Sequence, residues 1–381
     1  MVSIVECKNY DAAQVREALI RLLEPLGGLD WVTPGMKVGI KANLITMMKP
    51  EAAGTTHPAL LCALVELLRE KGAQVTLGDS PGGIYTAVYL DRVYAATGMK
   101  EVERAGALLN HDFSVKEATF DEAVAAKTFT YTGWLDQMDA IINFCKLKTH
   151  GMMSMSCAAK NMFGTVPGTV KPEYHYRFPD PRQFAHMIVD LNDYFKPRLN
   201  LVDAVVGMEG NGPTAGTPRP VGLLLASENP HECDRIGAAL IGLTPDRVPT
   251  LQAAIERGYV AENADRIQVI GTDWHTKVIP DYRLVERAKS LRFNRESETF
   301  FGRISAGFLD KALASVPQLH PKECVGCKEC YKVCPAHAIH MENNKPVIHR
   351  KDCIRCFCCQ EFCPKGALKV KRPLLAKLLL K

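Results

Sequence analysis

Cysteine is the residue type whose spacing in this chain most clearly indicates chemistry. Near the C-terminus, the pattern Cys-x-x-Cys-x-x-Cys-x-x-x-Cys-Pro occurs twice. It comprises Cys324, Cys327, Cys330, Cys334 and Pro335, and then Cys353, Cys356, Cys359, Cys363 and Pro364. Four thiolates at this spacing, followed by proline, hold a [4Fe–4S] cluster in the bacterial ferredoxin run. The doubled run therefore predicts two [4Fe–4S] clusters and a role in electron transfer.

Each predicted cluster takes its ligands from both runs. Three closely spaced cysteines on one loop reach three corners of a cube, and the fourth, beyond a turn, crosses to the other cluster. The predicted ligand sets are Cys324, Cys327, Cys330 and Cys363 for one cluster, and Cys353, Cys356, Cys359 and Cys334 for the second. CxxC pairs also bind structural zinc, but two complete copies that both end in Cys-Pro favour iron–sulfur clusters.

Composition narrows the class of protein. The chain has 381 residues, 47% hydrophobic and 23% charged, which is ordinary for a globular protein of roughly two to three domains. The net charge of +5 gives no indication of nucleic acid as a partner, and no apolar run is long enough for a membrane span. Fourteen cysteines without a signal peptide indicate a reducing compartment. We therefore expect a cytoplasmic protein of an anaerobe.

The elements that must position the chemistry form two domains. Residues 1–271 alternate strand-like and helix-like segments, the pattern of an α/β domain. The predicted strands are 2–6, 36–44, 75–78, 140–144, 199–206, 221–226 and 267–270, and the predicted helices are 11–24, 58–72, 182–194, 232–240 and 249–257. A helical linker region, 272–320, with helices at 285–293 and 300–313, leads to a two-cluster ferredoxin-like domain, 321–372, and a basic tail, 373–381. The predicted fold class is a large mixed or parallel-sheet α/β domain followed by a small α+β ferredoxin domain.

Polar residues collect at the ends of the predicted strands, where open α/β sheets place their ligands. Lys41 and Asn43 are two apart and share one face of their strand. His57 precedes Pro58 at a helix start, where free N–H groups favour an anion. Asp79 follows another strand and begins a glycine-rich turn. These four residues are candidates for one site.

The densest polar stretch runs from residue 143 to 151 and contains Lys146, Lys148 and His150. A segment of methionines and small residues follows and ends in Lys160 and Asn161. If that segment is helical, Ser156 neighbours Lys160 and Cys157 neighbours Asn161, because each pair is four residues apart. A glycine-containing loop, 164–168, comes next. A solvated lysine face is the usual explanation for such charges, but these lysines are interleaved with apolar residues, so a ligand site and a solvated face both stay open.

Several lysines directed into one crevice lower one another's pKa or require a polyanionic guest. The candidate catalytic residues therefore indicate a carboxylate, phosphate or coenzyme A ester as substrate, and a lysine of lowered pKa suits general acid chemistry. The alternative for His57, His150 and His175 is metal ligation, with His150 the strongest candidate.

The motifs resemble one known family. Lys41-Ala42-Asn43-Leu44, Thr55-Thr56-His57-Pro58, residues 78–82, 146–150 and 160–164, and residues 208–213 are similar, in this order, to the domain of unknown function 362 family, whose members are often iron–sulfur centre proteins. The resemblance covers residues 2–270. The family usually has Lys-Pro-Asn where this chain has Lys41-Ala42-Asn43. The resemblance implies that these polar residues belong to one site. Many members of the family also carry a C-terminal ferredoxin module.

Two functions from different classes remain open. In the first, a soluble donor or acceptor such as ferredoxin or flavodoxin exchanges electrons with the two clusters, and these reduce an anionic substrate, with Lys148, His150 or Asp79 supplying protons. A further flavin or metal in the α/β domain would couple one-electron carriers to a two-electron product. In the second, the protein is a non-catalytic electron-transfer or redox-sensing subunit that docks on a separate enzyme. A weaker third possibility is analogy with α/β racemases that hold an organometallic cofactor.

The cysteine pattern makes a direct prediction about metal content. Protein purified without oxygen should contain roughly eight iron atoms per chain, because each of two clusters holds four. Iron analysis together with the visible absorbance of the clusters measures this. A protein that contains zinc and no iron would contradict every function considered above.

Overall fold

The computed structural model describes residues 1–285 and 315–371. The two helices predicted at 285–293 and 300–313 lie outside the described residues, apart from Val285, and so does the predicted tail at 373–381. Within the described ranges, no helix combines the length and the apolar character needed to cross a membrane.

A mixed sheet of nine strands, all within residues 1–285, forms the centre of the large domain. Its order is β11-β1-β10-β9-β7-β2-β3-β4, and β8 pairs with β7. Neighbours from β9 through β4 run parallel, whereas β10 is antiparallel to both β1 and β9. The strands are β1 Val2–Glu6, β2 Lys37–Lys41, β3 Gln74–Gly78, β4 Leu108–Leu109, β7 Ala140–His150, β8 Ser154–Ser156, β9 Leu199–Asn211, β10 Ala215–Ser227 and β11 Val269–Gly271. A separate hairpin consists of β5 Val115–Thr119 and β6 Thr128–Thr132. The predicted fold class is confirmed.

Helices cover both faces of this sheet. They are α1 Ala12–Leu23, α2 Pro58–Glu70, α3 Ala87–Ala96, α4 Met99–Arg104, α5 Ala158–Asn161, α6 Lys171–Arg177, α7 Pro181–Phe195, α8 Pro230–Leu240 and α9 Pro249–Glu256. Asp11 caps α1 by accepting from the Gln14 N–H, and Pro58 occupies the first turn of α2, where its missing N–H is not needed. Buried apolar side chains of α1 and α2 form one core layer, and those of α8 and α9 form another on a different set of sheet residues.

The segment after β7 differs from the sequence-based expectation. The condition that the segment be helical does not hold before residue 158, because β7 continues to His150 and turns back as β8, which pairs Lys148 with Ser156. Ser154 in this hairpin has φ of 64°. Helix α5 begins only at Ala158. Methionine and small residues at helical spacing were therefore misleading, because pairing along the edge of a long buried strand overrides local propensity.

The small domain is built around two short hairpin-like pairs. Strand β12 Val316–Leu319 pairs with β15 Leu368–Lys371, and β13 Ile339–Glu342 pairs with β14 Lys345–Ile348. Two short helices, Glu329–Lys332 and Cys358–Glu361, complete it. The strand at Val316 lies inside the region expected to be a helical linker, so this domain begins earlier than residue 321.

The small domain packs directly on the large one. The Gln360 side chain donates to the carbonyl oxygens of Asn211, at 3.0 Å, and Gly212, at 3.3 Å. Phe357 and Val370 are buried in the same apolar cluster as Met152. A Cβ added to Gly151 would lie 2.9 Å from the Gln360 amide oxygen, so glycine permits this close approach. The two domains therefore share a buried interface.

A buried ion pair joins two central strands. The Lys146 ammonium lies 2.8 Å from Asp203 Oδ2, and both side chains are at most 1% exposed. Tyr10 donates its hydroxyl to Asp203 at 2.9 Å and accepts from Lys146 at 2.8 Å. The backbone N–H of His57 donates to the same carboxylate at 3.0 Å. Burial without these partners would be strongly unfavourable for either charge.

Removing one partner of this pair should destabilise the fold. Asp203→Asn leaves the Lys146 ammonium buried without a counter-charge, and we expect a loss of about 3–5 kcal/mol in the free energy of unfolding. Urea denaturation measures the change. The matched control is Asp30→Asn, since Asp30 pairs with Lys71 at 2.8 Å but is 83% exposed, and its loss should change stability little. Equal effects of the two substitutions would contradict the structural role of the buried pair.

Candidate active site

A cavity lies at the carboxyl ends of the parallel strands β2, β3 and β7. The chain passes from β2 to β3 on one side, while β7 lies on the other side of β2, so the cavity is at a topological switch point of the sheet. Its empty volume is about 630 Å³. The ionisable side chains that line it are Asp79, Lys148, His150, Lys160, Lys171, His175 and Glu361.

Lys41 and Asp79 form the buried base of the site. The Lys41 ammonium lies 2.7 Å from Asp79 Oδ1, and both side chains are at most 3% exposed. Asp79 Oδ2 accepts from the Leu44 N–H at 2.7 Å. Gly164 packs over the pair so closely that an added Cβ would lie 2.3 Å from the Asp79 carboxylate. Asp79 is therefore held as a structural counter-charge and is poorly placed to supply the proton that the sequence assigned to it.

A chain of amides fixes the position of Asn43. Its amide nitrogen donates to Asn161 Oδ1 at 2.8 Å, and Asn161 donates in turn to Asn143 Oδ1 at 2.7 Å. With its nitrogen used in this way, the orientation of the Asn43 amide is fixed. Its oxygen accepts a hydrogen bond from Lys148. Lys148 donates also to the Gly54 carbonyl at 2.7 Å. These contacts hold the Lys148 ammonium at one place on the cavity wall.

Three lysines of the cavity have lowered pKa values. Burial, with a contribution from the charge of Lys160, lowers the pKa of Lys148 to about 7. Burial lowers the pKa of Lys171 to about 8 and also lowers the pKa of Lys160. Lys171 donates to the Ser80 carbonyl, and within residues 1–285 and 315–371 no acceptor lies in hydrogen-bond range of the Lys160 ammonium. Such groups are poised to receive an anion and to give up protons near neutrality.

Phe163 is the centre around which two of these lysines gather. The Lys160 and Lys171 ammonium groups lie 5.4 and 5.8 Å from its ring centroid. His175 approaches the same ring edge-on at 5.7 Å and stacks on Phe184 at 4.5 Å. Burial lowers the pKa of His175 to about 3, so the ring is neutral at pH 7.

His150 meets a carboxylate from the small domain. Its Nδ1 accepts from the backbone N–H groups of Met152 and Met153, each at 3.1 Å, so the ring proton resides on Nε2. That Nε2 lies 2.8 Å from Glu361 Oε1, although the two atoms are not aligned as a regular hydrogen bond. Burial lowers the pKa of His150 to about 4. Burial opposes ionisation of Glu361, but His150 and the charge of Lys160 outweigh it and lower the Glu361 pKa below its usual range.

The small domain therefore contributes part of the cavity wall. Glu361 and Phe362 line it, and they lie between Cys359, predicted to bind one cluster, and Cys363, predicted to bind the other. An added Cβ on Gly82 would lie 3.1 Å from the Phe362 ring. The segment 360–362 thus connects the cysteine loops to the lysines.

The eight predicted ligand cysteines line two separate cavities. Cys324, Cys327, Cys330 and Cys363 surround one, and Cys334, Cys353, Cys356 and Cys359 surround the other. These are the two sets that the spacing predicts. Backbone N–H groups of Ala338 and Ala367 donate to the sulfurs of Cys334, at 3.2 Å, and Cys363, at 3.3 Å, which suits thiolate ligands. The residues fit two [4Fe–4S] clusters, and ligation by these cysteines stays a prediction.

Two predicted site residues lie elsewhere. Lys146 is committed to Asp203, and the His57 ring stacks on Tyr10 at a centroid distance of 3.5 Å. Neither residue lines the cavity, and Lys41, which pairs with the lining residue Asp79, does not line it either. Lys146 and Lys148 are two residues apart, which predicted a shared site. However, the β7–β9 pairing is irregular between them, and Lys146 forms an ion pair with Asp203 of β9. His57 caps α2 through Nδ1, which accepts from the Ala59 N–H at 3.3 Å.

Sequence reasoning missed Lys171, Glu361 and Phe362. Lys171 lies at the start of α6, a helix with no strong periodic pattern. The other two had a readable signal in the internal repeat, since Gln360-Glu361-Phe362 occupies the positions that Tyr331-Lys332-Val333 hold in the first cysteine run. Tyr331 is 50% exposed, whereas Gln360 is fully buried. The two cysteine runs therefore differ at these positions, and the second run is the one that packs on the large domain.

The structure also bears on a metal in the α/β domain. Among the residues described, no group of three or more His, Cys, Asp or Glu side chains converges in a way that could hold a single metal ion. His150 and His175 line the same cavity and His57 does not.

Comparison with known proteins assigns both parts of the chain. Residues 38–239 match the family described as a domain of unknown function (DUF362), and residues 317–364 match the 4Fe-4S dicluster domain. The predicted resemblance and the predicted fusion are confirmed. The second match also supports clusters over structural zinc in the cysteine-rich domain.

Similar proteins include a thylakoid-associated protein of Synechocystis sp., which is 33% identical over 261 residues, or 66% of this chain and 78% of that protein. Among solved structures, the lactate racemase apoprotein from Thermoanaerobacterium thermosaccharolyticum covers 55% of this chain at 12% identity with a TM-score of 0.37, and the chain spans 51% of its length. The match over residues 38–239 and the Synechocystis relative show that this chain belongs to the DUF362 family.

Proposed function

We propose that this protein is an iron–sulfur oxidoreductase that reduces an anionic organic substrate, a carboxylate, phosphate or coenzyme A ester, in the lysine-lined cavity. The observation that carries the proposal is the position of Glu361 and Phe362. They come from the loop between two predicted cluster ligands, yet they line a cavity otherwise built by the α/β domain. A separate carrier domain would have no need to complete such a cavity.

The residues of the cavity divide the work. Lys160 and Lys171 bind the negative charge of the substrate beside Phe163, and burial in a water-poor site strengthens that attraction. Asn43 and the Gly54 carbonyl orient Lys148, whose pKa of about 7 suits a general acid. His150 and Glu361 fix the docked loop against the wall.

Reduction of a carbon–carbon double bond is the simplest reaction that fits. It takes two electrons and two protons, and the two clusters, when bound, supply single electrons. Lys148 delivers one proton to the substrate carbon, and water at the open mouth of the cavity supplies the second. The first cysteine run includes the exposed Cys327, and we assign the approach of an external carrier such as ferredoxin or flavodoxin to that side. The proposal places the protein in a reducing cytoplasm.

Loss of Lys148 tests the assignment of the acid. Protein purified without oxygen and reduced with a stoichiometric reductant is mixed with a panel of unsaturated mono- and dicarboxylates and thioesters. Oxidation of the clusters is followed by absorbance and the product by mass spectrometry. Lys148→Met should slow substrate-dependent oxidation by about 100-fold or more, since general acids contribute at least that much, while iron content stays unchanged.

The control for this experiment is Lys127→Met, a lysine of the β5–β6 hairpin that is exposed. Its rate should equal that of the parent protein. If Lys148→Met also reacts at the parent rate, Lys148 is not the acid. If no member of the panel oxidises the reduced parent protein, the reductase proposal fails and the electron-transfer subunit becomes the better account.

The rate should also depend on pH in a defined direction. Lys148 donates only in its ammonium form, so at subsaturating substrate the oxidation rate should fall as pH rises through about 7. At saturating substrate the midpoint should move to higher pH, because a bound anion stabilises the ammonium. Stopped-flow measurements from pH 5.5 to about 9 record this fall in rate at subsaturating and at saturating substrate. A profile that keeps this limb in Lys148→Met would assign it to another group.

A further inference from the structure

The charges of the cavity do not balance. Lys41 and Asp79 cancel one another at 2.7 Å. Of the remaining groups, the ammonium groups of Lys148, Lys160 and Lys171 face a single carboxylate, that of Glu361. Both lining histidines are neutral at pH 7, since burial lowers the pKa of each well below that pH. With its lysines ionised, the cavity therefore holds an excess of two positive charges.

Among the described residues, Asp79 and Glu361 are the carboxylates that line the cavity. Lys148 and Lys171 donate to the uncharged oxygens of Asn43, Gly54 and Ser80. Lys160 is 9% exposed, and within residues 1–285 and 315–371 its ammonium has no hydrogen-bond acceptor and no carboxylate within 4.0 Å. Lys160 lines the cavity in a largely desolvated position, so an anionic ligand bound there would supply the counter-charge that its ammonium lacks.

We infer that the cavity binds a small dianion. Its two negative charges match the two positive charges by which Lys148, Lys160 and Lys171 together exceed Glu361. This deepens the proposed function, on which it rests, by naming the charge of the substrate. A dicarboxylate and a phosphate monoester share the required chemistry. One negative charge lies between Lys160 and Lys171 over the Phe163 ring, and the second reaches Lys148, which the amide chain of Asn43 holds in place.

Calorimetry on the oxidised, cluster-loaded protein tests this inference without turnover. The probes are succinate, its monomethyl ester and its dimethyl ester, which have the same carbon skeleton and carry two, one and no negative charges. Inorganic phosphate and phenyl phosphate form a second arm that distinguishes phosphate from carboxylate chemistry. We expect the better dianion to bind at least tenfold more tightly than monomethyl succinate, and the dimethyl ester not to bind.

Two variants make the test specific. In Lys160→Gln one positive charge is lost, and the preference for dianion over monoanion should fall below threefold. In Lys127→Gln, which removes an exposed lysine far along the hairpin, the preference should stay at the parent value. Cluster absorbance checks that both variants are folded.

The outcomes separate this inference from the proposed function. Equal affinity for succinate and its monomethyl ester, or no binding by any dianion, overturns the inference. Reduction of a monoanionic substrate would overturn it while leaving the reductase intact. Tight binding of succinate, together with no oxidation of the reduced clusters by any unsaturated dicarboxylate or phosphate ester, would uphold the inference and contradict the proposed function.

Discussion

The site depends on the contact between the α/β domain and residues 360–362, the segment between Cys359 and Cys363 of the second cysteine run. Gln360 is tied to the Asn211 and Gly212 carbonyls, and Glu361 meets His150 at 2.8 Å. Without this segment the lysine cavity would lose part of its wall and the one carboxylate, Glu361, that faces Lys148, Lys160 and Lys171. Because the same loop runs between predicted ligands of both clusters, docking it also brings the predicted redox centres to the cavity.

Burial of charge explains the chemistry of the large domain. Two lysines, Lys41 and Lys146, have dedicated carboxylates and are neutralised inside the protein. The other buried lysines have only neutral partners or none, and burial lowers the pKa of each, as it does for Lys146. A difference of this kind between similar side chains is typical of sites in which structural and functional roles have separated. The internal ion pairs hold the strands, and the unpaired lysines remain free to act on a ligand.

Much of this arrangement was predictable from the sequence, for identifiable physical reasons. Alternating apolar runs predicted β1, β3 and the cores of β7, β9 and β10, and the doubled cysteine run predicted the dicluster domain. Placing Asp79, Lys148 and His150 together required only that parallel strands end at one edge. Local pattern could not show that Asp203 would take up Lys146, since they are 57 residues apart. It also could not show that β7 would turn back as β8. The place of Glu361 in the site could be predicted only by comparing the two cysteine runs position by position.

The central claim is that the lysine-lined cavity binds an anion within electrostatic range of the predicted cluster sites. Its most direct test is a potentiometric titration of the anaerobic protein, followed by electron paramagnetic resonance, with and without a saturating anionic ligand. A negative charge next to a cluster opposes the arrival of an electron. We expect the ligand to lower the reduction potential of at least one cluster. Two potentials that are both insensitive to the ligand would contradict it.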